Sequence, residues 1–231
     1  MSESSGEAFP GLEERLRGVR AGIADACRDA GRSPEDVDLI VVTKFHPAEL
    51  VAALAALGVR DMGENRHQEA QEKAEALSDL DLRWHFVGQL QTKKARQAAR
   101  YAHAIHSIDR ERLVDALVDG DRVIDAFLQV NLTEDPARGG AAPEELERLA
   151  ERVLEAPALR LRGVMAVAPL DEPASAAFER LASYSERVRA LAPEADAISA
   201  GMTHDYREAI AAGATHLRIG SAITGKRPEP R

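Results

Sequence analysis

The chain has 231 residues, of which 45% are hydrophobic and only 4% aromatic, a composition that suits one large domain or two small ones with a mainly aliphatic core. Its net charge of −9 and isoelectric point near 5.3 argue against the clustered basic surface that nucleic acids and anionic membranes require. The single cysteine, Cys27, excludes an intramolecular disulfide, and its alanine-rich helical setting predicts a buried thiol.

The amino-terminal segment, residues 1–10, is polar and acidic, and we expect it to form a disordered tail. It lacks the basic and apolar regions of a secretory signal. No apolar run in the sequence approaches the roughly 18 residues that a membrane helix needs. The expected location is the cytoplasm, without a membrane or nucleic-acid partner.

Helical and strand-like patterns then succeed each other along the chain. Apolar residues at three- and four-residue steps from Leu12 to Cys27 predict an amphipathic helix over 12–30. Eight short apolar runs are predicted as strands: Asp38–Thr43, Asp61–Gly63, Arg83–Val87, Ala104–Ile108, Val123–Val130, Leu161–Ala166, Ala197–Ser199 and His216–Ile219. Seven helical stretches separate them: Pro47–Leu57, His67–Leu77, Thr92–Tyr101, Arg110–Val118, Pro143–Leu154, Glu172–Leu191 and Asp205–Ala212.

This strict alternation predicts a parallel sheet with right-handed crossovers, and eight strands favour closure into a single (β/α)8 barrel of the TIM type over 11–226. The helix over 12–30 is an addition to that pattern and could cover the gap left after strand eight. Residues 227–231 are expected to be frayed. An open doubly wound sheet is the alternative, but no G-x-G-x-x-G motif follows the first strand.

A lysine closes the first predicted strand, at the end of the barrel where active sites lie. If the barrel buries the stem of Lys44, the pKa of its amine falls, and a neutral amine can form a Schiff base with an aldehyde or ketone. A lysine that extends along the strand end into solvent fits the position equally well.

The last two strand ends carry small and hydroxyl residues, Gly201-Met202-Thr203 and Gly220-Ser221, just before helices. Backbone N–H groups in such turns bind anions, and barrels commonly hold phosphate after strands seven and eight. Taken alone, each glycine is more often explained by the geometry of a tight turn than by a bound phosphate. Arg218 is predicted to point inward beside this phosphate site, and Asn65 to offer an amide to the ligand.

Two histidines, His85 and His106, lie near the ends of strands three and four. A metal pair is conceivable, but no carboxylate completes a recognisable ligand set. We therefore favour packed or supporting histidines.

The strand-end residues belong to a longer ordered series of motifs. The series is Gly31-Arg32-Ser33-Pro34, Val42-Thr43-Lys44, Gly63-Glu64-Asn65, Trp84-His85-Phe86-Val87-Gly88, His106-Ser107-Ile108-Asp109, Gln129-Val130-Asn131, Gly163-Val164-Met165, Gly201-Met202 and Arg218-Ile219-Gly220. From about residue 12 to residue 225 it resembles the pyridoxal phosphate homeostasis protein family. The family often has Ser where this chain has Thr203, a difference that keeps the hydroxyl.

The resemblance implies a barrel like the amino-terminal domain of alanine racemase, with pyridoxal 5′-phosphate (PLP) as the cofactor. Lys44 would hold PLP as a Schiff base, and Asn65 would lie beside the ring. The Thr203 hydroxyl and the backbone of Gly220 and Ser221 would hold the phosphate. The same resemblance implies that Met202 lines the pocket and that Arg218 faces the pyridine nitrogen.

The resemblance also implies a carrier in vitamin B6 homeostasis, with PLP-dependent apoenzymes as recipients and little or no turnover. An amino-acid racemase with weak activity is the main alternative. Racemisation needs a second base, which alanine racemase takes from a separate β domain that we do not expect here, and Tyr101, Tyr184 and Tyr206 fall in predicted helices. A class I aldolase is disfavoured because its lysine usually lies on a later strand. The acidic helices show no clear apolar stripe that could serve as an interface between subunits, which favours a monomer.

Overall fold

The computed structural model describes residues 9–226, except for the side chain of residue 136. Most of the predicted tail, residues 1–8, and the predicted frayed end, 227–231, lie outside the described residues. Phe9 is described, and it does not belong to a tail, because it packs against the core and its carbonyl accepts a hydrogen bond from the Leu12 amide. The folded part therefore begins earlier than the sequence predicted.

Within the described residues, eight parallel strands form a closed barrel in chain order, which confirms the predicted (β/α)8 fold. Pairing of β1 with β8 closes it, with Val41 opposite Ile219, and Val41 also lies opposite Met62 of β2. The strands are β1 Asp38–Val42, β2 Asp61–Glu64, β3 Arg83–Phe86, β4 Ala102–Ile108, β5 Ile124–Gln129, β6 Leu159–Met165, β7 Ala197–Ser199 and β8 His216–Ile219.

The helices surround this barrel. They are α1 Leu12–Asp29, α2 Ala48–Ala56, α3 His67–Ala76, α4 Ala95–Ala98, α5 Glu111–Asp115, α6 Leu146–Leu154, α7 Ala174–Leu191, α8 Tyr206–Ala211 and α9 Ser221–Thr224. The predicted helix over 92–101 is shorter in the structure, with a 3₁₀ turn at Thr92–Lys94. At its other end the amides of Arg100 and Tyr101 bond to carbonyls three residues back, which tightens the chain into a turn.

The additional helix α1 lies across the seam between the end and the start of the barrel. Arg15 Nε donates to the Ile223 carbonyl of α9 at 2.7 Å, and Gly22 allows α8 to approach, since an added Cβ would lie 2.5 Å from the Tyr206 hydroxyl. Cys27 is fully buried on the inner face of α1, as predicted. The helix therefore covers the gap after strand eight, as the sequence indicated.

Two kinds of core result from this arrangement. The large aliphatic core lies between the strands and the helices, whereas a small cluster of Ala104, Phe127, Met165 and Ala197 lies apart from it. Buried polar side chains accompany this small cluster, among them His106, whose ring stacks on Phe127. None of the helices in the described part of the chain is long and apolar enough to span a lipid bilayer.

Candidate functional site

The residues predicted to bind a cofactor lie at four adjacent strand ends. Strands β7, β8, β1 and β2 are consecutive neighbours in the closed barrel. Because parallel strands end at the same face, the turns that follow them lie side by side. The structure thus brings the seven predicted residues to one sector of the barrel mouth: Lys44, Asn65, Met202, Thr203, Arg218, Gly220 and Ser221.

Of the two positions that the sequence left open for Lys44, the structure shows the one that reaches solvent. Its side chain is exposed, because β1 ends at Val42 and Lys44 lies two residues beyond it. The next residue, Phe45, has a left-handed backbone with φ of 68°, and its amide donates to Glu69 Oε2 at 3.0 Å. The Arg66 guanidinium covers the Phe45 ring at 5.0 Å. These contacts fix the turn that presents the Lys44 amine at the mouth.

A buried ion pair supports this turn from below. Lys73 Nζ donates to Glu64 Oε1 at 2.6 Å and to the Thr43 carbonyl at 2.9 Å, while the Thr43 hydroxyl donates to the same Glu64 oxygen at 2.7 Å. Burial raises the pKa of Glu64, and the Lys73 charge opposes that rise. Sequence reasoning assigned no role to this pair, although Lys73 lies three residues after the fully buried Ala70, a spacing that placed it on the inner face of α3.

The carboxamide of Asn65 carries a polar atom open to a ligand. Its Oδ1 is buried and has no hydrogen-bond partner among the described residues. Gly88 lets the end of β3 approach this position, since an added Cβ would lie 2.2 Å from the Asn65 carbonyl oxygen. An unpaired buried acceptor is costly, so a ligand that donates here would remove that cost.

The turn after β7 is only partly the anion site that was predicted. The Met202 amide already donates to Asp205 Oδ1 at 2.6 Å, and α8 begins at Tyr206, beyond Thr203. Gly201 is needed for packing, because an added Cβ would lie 2.8 Å from Cβ of Ala209. The Met202 amide is therefore already occupied, which leaves the Thr203 hydroxyl as the candidate donor of this turn.

The turn after β8 leads directly into α9, which begins at Ser221. The Gly220 carbonyl accepts from the amides of Ile223 and Thr224 at 2.8 and 2.9 Å. The amides at the very start of a helix have no partner within it. Those of Ser221 and Ala222 therefore have no partner within α9, at the turn for which a phosphate was predicted.

Arg218 points into the barrel, as predicted, and only 5% of it is exposed. One guanidinium nitrogen donates to Ser199 Oγ at 2.6 Å and a second donates to the Ala166 carbonyl at 2.8 Å. Burial lowers the pKa of Arg218 to about 10, and the Asp205 charge opposes that shift. The side chain remains a cation and a pure donor at neutral pH.

The two histidines continue inward from Arg218. His106 Nδ1 lies 2.8 Å from Ser199 Oγ, His106 Nε2 lies 3.0 Å from His85 Nδ1, and His85 Nε2 lies 2.8 Å from Asp61 Oδ1. Both rings are buried and hydrogen-bonded, as the favoured interpretation required. Within residues 9–226, no group of three His, Cys, Asp or Glu side chains is arranged to hold a metal ion.

The tyrosines contact other parts of the molecule. Tyr101 lies in the turn before β4 and not in a helix, and its hydroxyl is 3.3 Å from His67 Nδ1. The Tyr206 hydroxyl faces α1 at Gly22, and the Tyr184 ring packs against an arginine of α7. Burial raises the pKa of Tyr101 above its ordinary value, so its hydroxyl is poorly suited to act as a base.

Comparison with known proteins places this geometry in a family. The model of the alanine racemase N-terminal domain matches residues 20–228. The pyridoxal phosphate homeostasis protein of Pseudomonas aeruginosa is 41% identical, over 94% of this chain and 96% of its own. The protein of the same name from Mycobacterium tuberculosis is 38% identical, over 94% of this chain and 93% of its own.

Solved structures agree. PipY of Synechococcus elongatus, with PLP bound, superposes with a TM-score of 0.80 at 34% identity and covers 93% of this chain and 100% of its own. The alanine racemase of Corynebacterium glutamicum has a TM-score of 0.71 at 16% identity and is matched over 92% of this chain but only 61% of the racemase, a likeness of fold alone. The chain belongs to the pyridoxal phosphate homeostasis protein family.

Proposed function

We propose that this chain binds PLP at the mouth of its barrel as a Schiff base on Lys44 and acts in vitamin B6 homeostasis in the cytoplasm, as a monomer. It would hold the cofactor and deliver it to PLP-dependent apoenzymes with little or no turnover of its own. The observation that carries the proposal is the position of the exposed Lys44 amine between the β2 turn with Asn65 and the β8 turn with Gly220. The PLP-bound state of its relative PipY supports the choice of ligand.

The side chains present fit the groups that PLP carries. An exposed primary amine suits the aldehyde, and a buried cation suits the pyridine nitrogen. The Thr203 hydroxyl and the early amides of α9 suit the phosphate. The unpaired Asn65 Oδ1 is buried beside the mouth and suits a ring substituent that donates a hydrogen bond.

The nature of Arg218 favours storage over chemistry. Bound PLP supplies an aldehyde and an electron-withdrawing ring, and the ring withdraws electrons best when its nitrogen is protonated. Arg218 can only donate a hydrogen bond at that nitrogen, whereas a carboxylate would keep it protonated. The site would therefore help proton removal from an amino acid less than a site with a carboxylate at that nitrogen would.

A weak racemase remains the second candidate, because the alanine racemase domain model matches this chain. Racemisation needs a base on each face of the substrate. Lys44 could serve one face, but the hydroxyls of Tyr101 and Tyr206 contact His67 and α1, away from the mouth. An assay of alanine and other amino acids for loss of optical activity separates the candidates, since sustained turnover would overturn the carrier proposal.

The main test is spectroscopic. Purified protein mixed with PLP should show the visible band of a Schiff base, and borohydride reduction followed by peptide mapping should place the added mass on Lys44. Lys44→Ala should abolish the band, whereas Lys93→Ala, which changes another exposed lysine, should leave it intact. A colourless wild-type protein, or reduction that labels a different lysine, would contradict the proposal.

Delivery and assembly need separate measurements. The loaded protein should restore activity to a PLP-dependent apoenzyme even when a scavenger removes free PLP from solution. Recovery that vanishes with the scavenger would mean release and not delivery. Light scattering on an eluting peak should give the mass of one chain, and a dimer mass would correct the expected monomer.

A further inference from the structure

A continuous line of hydrogen-bonded side chains crosses the barrel interior and ends on Arg218. We propose that Asp61, His85, His106 and Ser199, named here the histidine relay, act as positioning residues that hold the Arg218 guanidinium in one orientation through one fixed arrangement of protons. The role toward the cofactor rests on the proposed function above, whereas the proton arrangement itself belongs to the protein alone.

The relay begins at a carboxylate near the opposite end of the barrel. Asp61 is the first residue of β2, and its Oδ2 accepts from Arg83 at 2.5 Å while its Oδ1 lies 2.8 Å from His85 Nε2. Burial alone would raise the pKa of Asp61, but the hydrogen bond from His85 and the Arg83 charge outweigh it and hold the pKa below its usual value. Asp61 is therefore ionised and can only accept, so His85 Nε2 must carry a proton.

The positions of the other protons in the relay follow from this one. A neutral imidazole donates from one nitrogen and accepts at the other. In this arrangement the His85 imidazole carries its one proton on Nε2 and accepts at Nδ1, so His106 donates to it from Nε2 across 3.0 Å. His106 is completely buried beside the Arg218 cation and stays neutral, which leaves its Nδ1 as an acceptor for the Ser199 hydroxyl at 2.8 Å.

This arrangement of protons determines which atom of Ser199 faces the Arg218 guanidinium. Because the Ser199 proton points to His106, the oxygen turns its lone pairs toward the guanidinium, which donates to it at 2.6 Å. The Ala166 carbonyl takes a second N–H at 2.8 Å. With two donors fixed, the remaining N–H groups of the guanidinium are held in one direction. The His106 ring stacks on Phe127, with centroids 4.2 Å apart and planes 7° apart, and this stacking holds the His106 ring in place between His85 and Ser199.

A donor in place of the Asp61 acceptor should reverse the direction of the hydrogen bonds along the histidine relay. In Asp61→Asn, the amide oxygen would accept from Arg83, so the amide nitrogen would face His85 Nε2 and donate to it. Neutral His85 and His106 would then both carry their protons on Nδ1. Ser199 would accept from both His106 and Arg218, and its own proton would lose its acceptor. A set of histidines that merely fills space has no reason to change tautomer in this concerted way.

The test uses nitrogen NMR of the full-length, cofactor-free protein labelled in its histidines, with signals assigned by single histidine variants. Both His85 and His106 should have the proton on Nε2 in the wild type and on Nδ1 in Asp61→Asn. Wild-type rings with the proton on Nδ1, or tautomers that Asp61→Asn leaves unchanged, would overturn the relay.

A second measurement addresses Arg218. Ser199→Ala removes the acceptor of a charge-assisted hydrogen bond and should weaken PLP binding about tenfold, by the usual strength of such bonds. Ser107→Ala is the matched control, because Ser107 is a buried serine beside His106 whose Oγ has no partner among the described residues. Equal PLP affinity in both variants and the wild type would overturn the positioning role. If the wild type itself does not bind PLP, the proposed function fails, and the NMR result alone decides the proton arrangement.

Discussion

Removal of the cation beneath Lys44 should destabilise the whole barrel. In Lys73→Met, Glu64 loses its 2.6 Å partner and the Thr43 carbonyl loses its 2.9 Å donor, although both stay buried. Loss of one member of a buried ion pair costs about 3–5 kcal/mol. Because burial already raises the pKa of Glu64, the orphaned carboxyl can take up a proton, and we expect about 3 kcal/mol, the lower end of that range.

Urea unfolding followed by circular dichroism measures this loss as a lower midpoint with an unchanged slope. The deficit should be greater at pH 8 than at pH 6, because a carboxyl whose pKa is raised in the folded state loses its contribution to stability as the pH rises. Arg17→Met is the control, since Arg17 pairs with Glu13 in solvent and such pairs contribute little. A deficit below about 1 kcal/mol, the size of an ordinary hydrogen bond, would refute the reasoning.

Two further predictions concern the stability of the protein at low pH and after substitution of a glycine. Burial lowers the pKa of His216 to about 4 and that of His106 well below its ordinary value. As the pH falls, the unfolded chain therefore binds protons at these histidines before the folded protein does. The melting temperature of the cofactor-free protein should fall between about pH 6.5 and pH 4. A melting temperature that stays constant from pH 7 to pH 5 would contradict this. Gly201→Ala should cost roughly 1–3 kcal/mol in urea unfolding, because φ is 93° and the new Cβ would lie 2.8 Å from Ala209. Gly18→Ala, where nothing lies within 4 Å of the added Cβ, should be neutral or stabilising by up to about 1 kcal/mol, and equal effects of the two changes would refute the steric argument.

The barrel and the sector of the site followed from the sequence because both depend on order along the chain. Alternation of strands and helices defines the topology, and the topology places every strand end on one face. Lys44 and Gly220 could thus be assigned to the same mouth without knowledge of any distance.

The histidine relay could not be predicted in this way. Its contacts depend on how far each strand is shifted against its neighbour, and the register is irregular between Trp84 and His85 and again between Ile105 and Ile108. Local sequence does not encode such shifts. Sequence alone left the exposure of Lys44 undecided for a similar reason, because the left-handed conformation of Phe45 is unusual for a residue other than glycine.

The seam covered by α1 has a consequence for synthesis of the protein. The bond from Arg15 to Ile223 joins positions 208 residues apart, and α1 also packs on α8. During translation α1 emerges well before α8 and α9, the two helices on which it mainly packs. Its apolar face, which includes Leu16 and Ile23, therefore lacks these two packing partners until nearly the whole barrel has been synthesised. Such long-range closure slows folding and leaves an exposed helix face available to chaperones in the interval.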